Sequence, residues 1–351
     1  MSDVRGVVLT RPGSDLEIAA DLEAPEPLHG QVCVEVAFSG VCHSQLMEAR
    51  GLRGEDRHVP HLLGHEGTGI VRSIGTGVTK VAPGDRVVLT WIKGAGADVG
   101  GGRYGWHGRI VNAGPVTTFN ELAVVAENRV VRLPAGVPMD VGVLFGCALP
   151  TGAGVIMNTL KPEPGKTLAV YGLGGVGICA LAAASRCGLE RLIAVDVEPG
   201  KLALARDFGA THVIDASRQE PVEAIRGLTA GRGADYAVDA AGATATIERA
   251  FESVRDDGGR CVFASHPPAG KRICLDPHAL IRGRRIEGSW GGGCMPDRDI
   301  PLLASLCVDG GLPFESLVRD RYPLAEVNRA LADLEARRAL RPLLVVAADP
   351  G

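Results

Sequence analysis

The stretch VYGLGGVG at residues 170–177 decides the fold of the central part of the chain. It places the pattern G-x-G-x-x-G directly after a predicted strand and at the start of a predicted helix. In that context Gly172 allows a tight turn, Gly174 lets the backbone approach a pyrophosphate, and Gly177 lets the helix pack on the strand. The N–H groups at the start of the helix then face the phosphates. The stretch therefore predicts a dinucleotide-binding site.

The residues that follow predict which dinucleotide binds. Asp196 ends the next apolar run, LIAVD, nineteen residues after Gly177, where a carboxylate accepts hydrogen bonds from both hydroxyls of the adenosine ribose. The negative charge disfavours the extra phosphate of NADP, so NAD is the expected cofactor. Lys201 could reach the same ribose. The alternative is a glycine-rich turn with an aspartate and a lysine on the surface.

Alternating short apolar strands and helices extend from residue 165 to residue 265, which predicts an α/β fold with a doubly wound parallel sheet. The first 150 residues are rich in short Val/Ile runs broken by Gly, Pro and Asp, as in a compact β domain. After SWGGG we expect one clear helix at 323–337 and a strand at 341–348. We therefore expect a β-rich domain at 1–148, a nucleotide-binding domain at 149–290, and a return to the first domain at 291–351.

Composition narrows the class of protein. The chain has 351 residues, 46% apolar and 22% charged, which excludes a disordered protein, and its net charge of -4 gives no basic surface for nucleic acid or an anionic membrane. A small-molecule substrate is expected instead. The uncharged window 167–185 contains four glycines, so we do not expect it to span a membrane. The first ten residues lack the apolar stretch of a secretory signal, and we expect a cytoplasmic protein.

Nine scattered cysteines, an odd number, make a disulfide framework unlikely in such a protein, so most should be buried thiols. Three residues stand out as potential metal ligands: Cys42 in SGVCHSQL, His65 in LLGHEGTG and Cys147 in FGCALPTG. Two thiolates and one imidazole form a set that catalytic zinc uses, with a fourth position left for water or substrate. Taken singly, each is more often a buried thiol or a loop histidine, so the interpretation depends on the combination.

That combination resembles the zinc-dependent medium-chain alcohol dehydrogenases in CHS, in GHE followed by G-x-G, in GC-x-x-x-TG and in GLGGVG. The resemblance implies a Rossmann domain with a GroES-like β-rich catalytic domain. It implies a catalytic zinc held by Cys42, His65 and Cys147, with Glu66 able to exchange onto the metal. Ser44 matches the residue that relays the alcohol proton. Zinc lowers the pKa of a bound alcohol, which can then lose a hydride to the nicotinamide.

The resemblance also implies contacts to the cofactor and the substrate. Further cofactor-binding positions are His43 and Arg341 at the pyrophosphate, Thr151 and Val176 at the nicotinamide, and Gly175, Ala264, Ser289 and Gly291. Trp91 would form a wall of the substrate pocket. A homodimer is expected, with a tetramer as the alternative, built by continuing the nucleotide-domain sheet near SLVRDRYPL (316–324).

Departures from the family pattern at four places modify these expectations. The segment 91–109 has no cysteine; Ala95, Asp98, Gly101 and Arg109 stand where relatives place the thiolates of a second, structural zinc. We therefore expect one zinc per chain, and a glycine-rich loop that is either ordered by other contacts or mobile. Gln45 replaces an aspartate near the metal-ligand histidine and should weaken its orientation. Met47 replaces a histidine of the proton relay in some relatives.

His266 in VFASHPPAG stands where relatives have a small or apolar residue beside the nicotinamide. It suggests a substrate with a polar or anionic group, and the alternative is an exposed turn histidine. The sequence therefore favours an NAD-dependent zinc dehydrogenase that interconverts an alcohol and an aldehyde or ketone. A polyol or sugar dehydrogenase of the same superfamily is the second enzyme hypothesis. A nucleotide-binding protein without turnover is the non-enzyme hypothesis.

Overall fold

The computed structural model describes residues 3–309 and 311–347. The chain divides into two units. The first contains Met1–Cys147, Met295–Val308 and Phe314–Gly351, and the second contains Ala148–Cys294 and Asp309–Pro313. The sequence predicted domain boundaries after residues 148 and 290. In the structure the chain passes from one unit to the other after residues 147 and 294, one and four residues away.

The strands, in chain order, are β1 (Asp3–Leu9), β2 (Glu17–Glu23), β3 (Gln31–Gly40), β4 (His61–Leu62), β5 (Glu66–Ile74), β6 (Arg86–Thr90), β7 (Tyr104–Trp106), β8 (Arg109–Val111), β9 (Leu122–Ala126), β10 (Val130–Arg132), β11 (Thr167–Tyr171), β12 (Arg191–Asp196), β13 (His212–Asp215), β14 (Tyr236–Asp239), β15 (Arg260–Phe263), β16 (Arg285–Gly288), β17 (Arg321–Pro323) and β18 (Leu343–Val345).

The α-helices are α1 (His43–Ala49), α2 (Met139–Gly142), α3 (Ala148–Gly154), α4 (Gly175–Ala184), α5 (Pro199–Asp207), α6 (Pro221–Leu228), α7 (Thr244–Ser253), α8 (Pro277–Ile281), α9 (Pro296–Val308) and α10 (Val327–Glu335). A π-helical segment, Val155–Leu160, follows α3.

The first unit is built on two mainly antiparallel sheets. One has the strand order β4-β1-β2-β7-β8, and the other has the order β10-β6-β5-β3-β18-β17 with β9 also paired to β3. Alternate residues Val32, Val34 and Val36 of β3 point into one core, as the period of two in a strand requires. Helix α10 packs on that core through Val327 and Leu331, four residues apart on one helix face. This β-rich unit confirms the GroES-like part of the predicted fold.

The second unit contains a parallel six-stranded sheet with the order β13-β12-β11-β14-β15-β16. The order reverses between β11 and β14, and in doubly wound sheets ligands bind at such a switch point, outside the carboxyl ends of the strands. The window 167–185 forms β11 and the buried helix α4 of this core. The predicted doubly wound sheet is confirmed.

The glycine-rich segment 91–109 is held by contacts within the first unit. Its second half forms the hairpin β7–β8. The Glu127 carboxylate, which is 3% exposed, accepts hydrogen bonds from the backbone N–H groups of Ala97 (2.8 Å), Thr79 (2.7 Å) and Lys80 (3.0 Å). A buried carboxylate therefore joins residues 79–80 to the glycine-rich segment, and of the two expected alternatives the contacts favour a loop ordered by other contacts.

Two expectations for the carboxyl-terminal part are wrong. Besides α10, the structure contains the 13-residue helix α9 after SWGGG. Its prolines, Pro296 and Pro301, obscured a helical pattern in which Ile300 and Leu303 are buried. The stretch SLVRDRYPL does not border the nucleotide-domain sheet, because its strand β17 pairs with β18 in the first unit. The edges of the parallel sheet are β13 and β16.

All nine cysteines lie in the described part of the chain and are free thiols, as expected. Among the described residues no single helix is long and apolar enough to cross a membrane. One bent helix pair, Met139–Gly146 with Ala148–Leu160, is long and apolar enough when its two helices are taken together, by length and composition alone.

Candidate metal centre and nucleotide site

Cys42, His65 and Cys147 are brought together in the first unit. Cys42 directly precedes α1, His65 directly precedes β5, and Cys147 follows a tight 3-10 turn that ends at Gly146. The two sulfur atoms and a ring nitrogen of His65 all lie within 4.8 Å of one another. The structure therefore assembles the three predicted first ligands, although they are spread over more than a hundred residues of sequence.

Without a metal, one thiol of the cluster favours its thiolate form and the other its protonated form. Nε2 of His65 is buried and has no hydrogen-bond partner in the described structure. A hydrogen bond from the Cys147 thiol, and next the His65 ring, hold the pKa of Cys42 well below its usual value against the opposing effect of burial. The same bond to Cys42, together with burial, raises the pKa of Cys147. Two sulfurs and one imidazole nitrogen form a donor set that zinc prefers, so the residues fit this metal.

Gln45 links two of these residues. Its side chain is buried, its amide oxygen accepts a hydrogen bond from the N–H of Cys42 (3.2 Å), and its Nε2 contacts Nδ1 of His65. An amide nitrogen can only donate, so this contact leaves the hydrogen of a neutral His65 ring on Nε2. A metal on Nε2 needs that hydrogen on Nδ1, and the amide must then present its oxygen to His65.

Glu66 does not join the cluster. Its carboxylate is fully buried and both of its oxygens accept from the guanidinium of Arg341, which is 4% exposed. Burial lowers the pKa of Arg341, but Glu66 and the two thiols raise it more, so the guanidinium stays charged. In this structure Arg341 holds the carboxylate, and the exchange of Glu66 onto the metal stays a prediction. Arg341 in turn points at Glu66, and its contact with the pyrophosphate stays a prediction.

Two glycines make room for this ion pair. A Cβ on Gly40 would lie 2.3 Å from Oε1 of Glu66, and a Cβ on Gly146 would lie 2.6 Å from the Cβ of Glu66. Both contacts are too short for a real side chain. The buried pair therefore requires glycine at these two positions, which the sequence analysis did not single out.

The remaining predicted residues of the first unit lie near the cluster or on the surface. Ser44 is half-buried, and its hydroxyl lies 3.6 Å from Sγ of Cys42. The rings of Trp91 and His65 meet edge to face with their centroids 6.4 Å apart, which places Trp91 beside the candidate metal centre. His43 is exposed.

The glycine-rich turn of the second unit has the geometry expected from its sequence. Gly172 has a φ of +83°, and a Cβ there would lie 2.6 Å from the backbone of Ala241. A Cβ on Gly177 would lie 1.9 Å from the carbonyl oxygen of Gly172, so the helix and the turn touch through this position. A Cβ on Gly174 would meet nothing within 4 Å, which leaves open space beside the start of α4.

Asp196 lies at the carboxyl end of β12 and is fastened to the same turn. Its Oδ2 accepts a hydrogen bond from the N–H of Leu173 (2.7 Å), and its Oδ1 accepts from the N–H groups of Val197 (2.8 Å) and Glu198 (3.0 Å). These bonds fix the carboxylate next to the glycine-rich loop. Lys201 is half-buried in α5, the helix that follows.

Other predicted cofactor residues also follow the carboxyl ends of parallel strands. Ala264 follows β15, while Ser289 and Gly291 follow β16. Thr151 on α3 and Val176 on α4 belong to helices in close contact, since a Cβ on Gly152 would lie 2.2 Å from the carbonyl oxygen of Val176. His266 is exposed in the loop after β15, as its alternative interpretation requires, and its place beside the nicotinamide stays a prediction.

Asp239 was missed by the sequence analysis. It ends β14 at the switch point of the sheet, is fully buried, and burial raises its pKa to about 6. Its Oδ2 accepts from the N–H of Gly242 (3.1 Å), and its Oδ1 has no partner in the described structure. The signal was available, because YAVD ends in the same Val-Asp pair as LIAVD, which contains Asp196.

A parallel nucleotide-binding sheet and a cysteine–histidine–cysteine cluster in a GroES-like unit define the class of zinc-type dehydrogenases. Two family models match the chain: the alcohol dehydrogenase GroES-like domain over residues 28–135 and the zinc-binding dehydrogenase over residues 175–308. These matches cover parts of both units.

Solved structures agree over the whole length. Benzyl alcohol dehydrogenase from Acinetobacter calcoaceticus is 30% identical with a TM-score of 0.89, covering 99% of this chain and 100% of its own. An alcohol dehydrogenase zinc-binding domain protein from Burkholderia ambifaria is 31% identical with a TM-score of 0.89, covering 99% of both chains. An alcohol dehydrogenase from Thermus sp. ATN1 is 27% identical with a TM-score of 0.82, covering 98% and 100%. The chain therefore belongs to the alcohol dehydrogenase family of the medium-chain dehydrogenase/reductase superfamily and is an oxidoreductase.

Proposed function

We propose that this oxidoreductase is an NAD-dependent alcohol dehydrogenase with one catalytic zinc per chain. The observation that carries the proposal is the convergence of Cys42, His65 and Cys147, with Nε2 of His65 left without a partner. A buried polar atom without a partner is costly, and a metal ligand bond would satisfy it. Zinc, when bound there, supplies a Lewis acid that lowers the pKa of an alcohol.

The chain's own residues have separate tasks in the proposed reaction. Ser44, whose hydroxyl lies 3.6 Å from Sγ of Cys42, accepts the proton of the alcohol while its own hydroxyl hydrogen passes to solvent. Trp91, edge to face with His65, provides an apolar wall that keeps water from the reacting carbon. Arg341 neutralises Glu66 while the carboxylate is off the metal, and Glu66 can exchange onto the zinc as a transient further ligand.

The proposed cofactor site lies at the carboxyl ends of the strands in the second unit. NAD accepts the hydride when bound, and the turn at Gly172 and Gly174 leaves space for its pyrophosphate. Asp196 is fixed by three backbone N–H groups and retains lone pairs for the ribose hydroxyls. Its negative charge disfavours NADP, which supports the preference for NAD.

The substrate class is the least determined part of the proposal. The 30% identity to benzyl alcohol dehydrogenase makes benzyl alcohol the first compound to test. His266, if it faces the nicotinamide in the complex, would select an alcohol that carries a polar or anionic group.

A homodimer and a cytoplasmic location stay predictions. Strand pairing across a two-fold axis would have to use an edge of the parallel sheet, β13 or β16.

A screen for NADH formation tests the proposal. The zinc-loaded full chain would be given NAD with benzyl alcohol, simple primary and secondary alcohols, and polyols, with Cys42→Ser as the control. Turnover of simple or aromatic alcohols by the wild type alone is the expected result. Turnover of polyols alone would favour a polyol dehydrogenase, and NAD binding without any turnover would overturn the enzyme assignment.

A further inference from the structure

A second group of metal-ligating side chains lies in the first unit, apart from the cysteine cluster. It consists of Glu48 in the last turn of α1, Asp56 in the following loop, and His61 at the start of β4. One ligand atom from each residue lies within 4.8 Å of the others. Nε2 of His61 is 2.8 Å from Oδ2 of Asp56 and 3.9 Å from Oε1 of Glu48, and the three side chains are only 10%, 16% and 27% exposed.

The His61 ring is held in the orientation that a metal ligand needs. Its Nδ1 lies 2.8 Å from the backbone oxygen of Leu62, which can only accept, so Nδ1 carries a hydrogen and donates it. Nε2 faces Oδ2 of Asp56, which also can only accept, so without a metal Nε2 donates a hydrogen to it, and a bound ion would take the place of that hydrogen. Histidine ligands of metals are generally fixed in this way, by a backbone or carboxylate acceptor on the other nitrogen.

The carboxylates are not neutralised within the group. Glu48 and Asp56 carry two negative charges, and even a protonated His61 leaves a net charge of -1. Arg53 lies 3.8 Å from the other oxygen of Glu48, but its side chain is 45% exposed, and ion pairs in water contribute little. The backbone N–H of His58 donates to Oδ1 of Asp56 (2.9 Å), which leaves Oδ2 turned toward His61.

The space and spacing also suit a metal ion. A cavity of about 230 Å³, lined by Glu48 and by residues 53–58 but not by His61, opens beside the two carboxylates and has room for a water as a fourth ligand. Ligands of a tetrahedral zinc lie about 3.4 Å apart, since zinc bonds to nitrogen and oxygen are about 2.1 Å long. Asp56 would move away from His61, and Glu48 toward it, by roughly half an ångström each.

We propose that Glu48, Asp56 and His61 form a second site, for a divalent transition-metal ion such as Zn²⁺. One imidazole nitrogen and two carboxylate oxygens are ligands that zinc accepts, but without thiolates the site should be weaker than the cysteine cluster. A bound ion would tie the last turn of α1, a helix that begins next to Cys42, to strand β4, which ends three residues before His65.

The test uses the full chain with Cys42→Ser and Cys147→Ser, so that metal uptake reports the second group. Calorimetric titration with Zn²⁺ should give one ion per chain, and the added zinc should raise the Tm, because an ion that binds only the native state stabilises it. Adding His61→Asn should abolish both effects. The matched control is His107→Asn, which changes an exposed histidine elsewhere in the first unit and should leave zinc uptake unchanged.

The proposal is overturned if the double variant takes up no zinc, or if uptake survives His61→Asn. Either result would show that the group is only an ion-pair cluster. If the double variant does not fold, the wild type is titrated with Co²⁺, where a second equivalent should bind without thiolate absorption and be lost in His61→Asn. Neither readout uses turnover, so failure of this site and failure of the proposed dehydrogenase activity remain distinguishable.

Discussion

Gln45 contacts both Cys42 and His65 with one neutral amide, where the family resemblance leads one to expect a carboxylate. A carboxylate can accept hydrogen bonds from Nδ1–H of His65 and from the N–H of Cys42 at the same time. The amide has one oxygen for these two donors and turns its nitrogen toward His65 in the structure. The single amide oxygen can therefore serve only one of these two donors fully.

Gln45→Glu should raise the affinity for zinc, and Gln45→Leu should lower it, by about tenfold or more in each direction, which is the usual scale of such supporting contacts. Competition with a chromophoric chelator measures the affinity without reference to turnover. Equal zinc affinities in the wild type and both variants would show that the amide does not position His65.

Asp196 belongs to the cofactor site, and its carboxylate joins the glycine-rich turn to the end of β12. Asp196→Ala should weaken NAD binding by about tenfold to a hundredfold, because hydrogen bonds to charged groups contribute about 1.5–3 kcal/mol. The preference over NADP should narrow, since a repulsive charge is also lost. Binding titrations with NAD and NADP give the ratio of the two dissociation constants. The Tm is recorded as well, because the variant also loses three hydrogen bonds from backbone N–H groups. An unchanged ratio would contradict the assignment.

His266 offers a test of the substrate class. If it faces a polar substrate group beside the nicotinamide, His266→Ala should reduce kcat/KM for that substrate by about tenfold to a hundredfold, since a lost partner costs about 1–3 kcal/mol. A simple apolar alcohol should be affected much less. Equal losses on both substrates, or no loss on either, would make His266 the exposed turn residue that its position in the structure also allows.

At the scale of elements, Glu127 organises the loop that lacks the structural-zinc cysteines. Burial raises the pKa of this carboxyl, but the N–H groups of Thr79, Ala97 and Lys80 lower it more, and the net pKa lies below the usual 4.5. A carboxyl with a lowered native pKa stabilises the fold above its unfolded pKa, and this contribution disappears as pH falls through the native value.

Glu127→Gln should therefore lower the free energy of unfolding near neutral pH by about 1–3 kcal/mol, because an amide NH₂ would face a backbone donor. The loss should shrink as pH falls below about 4.5, where the unfolded wild type becomes protonated, and disappear only below the lower native pKa. Denaturant unfolding at several pH values measures this difference. Glu252→Gln, at an exposed glutamate, is the matched control. A loss that is the same at all pH values would argue against the carboxylate as the cause.

Sequence periodicity predicted most elements of the second unit because each strand and helix there is a separate apolar run. Helix α9 was missed because Pro301 interrupts its pattern, and β17 was assigned to the wrong sheet because a three-residue strand carries no signal about its partner. The ion pair of Glu66 and Arg341 joins residues 275 positions apart. Such contacts depend on the tertiary fold, and no local pattern contains them.

At the scale of the whole molecule, the chain combines a family-wide arrangement with local changes. The three proposed zinc ligands and the glycine-rich turn agree with the family, as do the two family models that match the chain. Segment 91–109 has no cysteine and is held by contacts to Glu127, so only the cysteine–histidine–cysteine cluster should bind zinc tightly.

Stepwise return of zinc to the metal-free protein tests the central claim most directly. The chain is stripped with a chelator, zinc is added in fractions of one equivalent, and NADH formation is followed with the alcohol that is turned over best. Turnover should be absent at the start, rise in proportion to zinc, and reach its plateau at one equivalent per chain, with Cys147→Ser inactive throughout. Full activity in the stripped protein, or a plateau reached only after a second equivalent, would contradict a single catalytic zinc held by Cys42, His65 and Cys147.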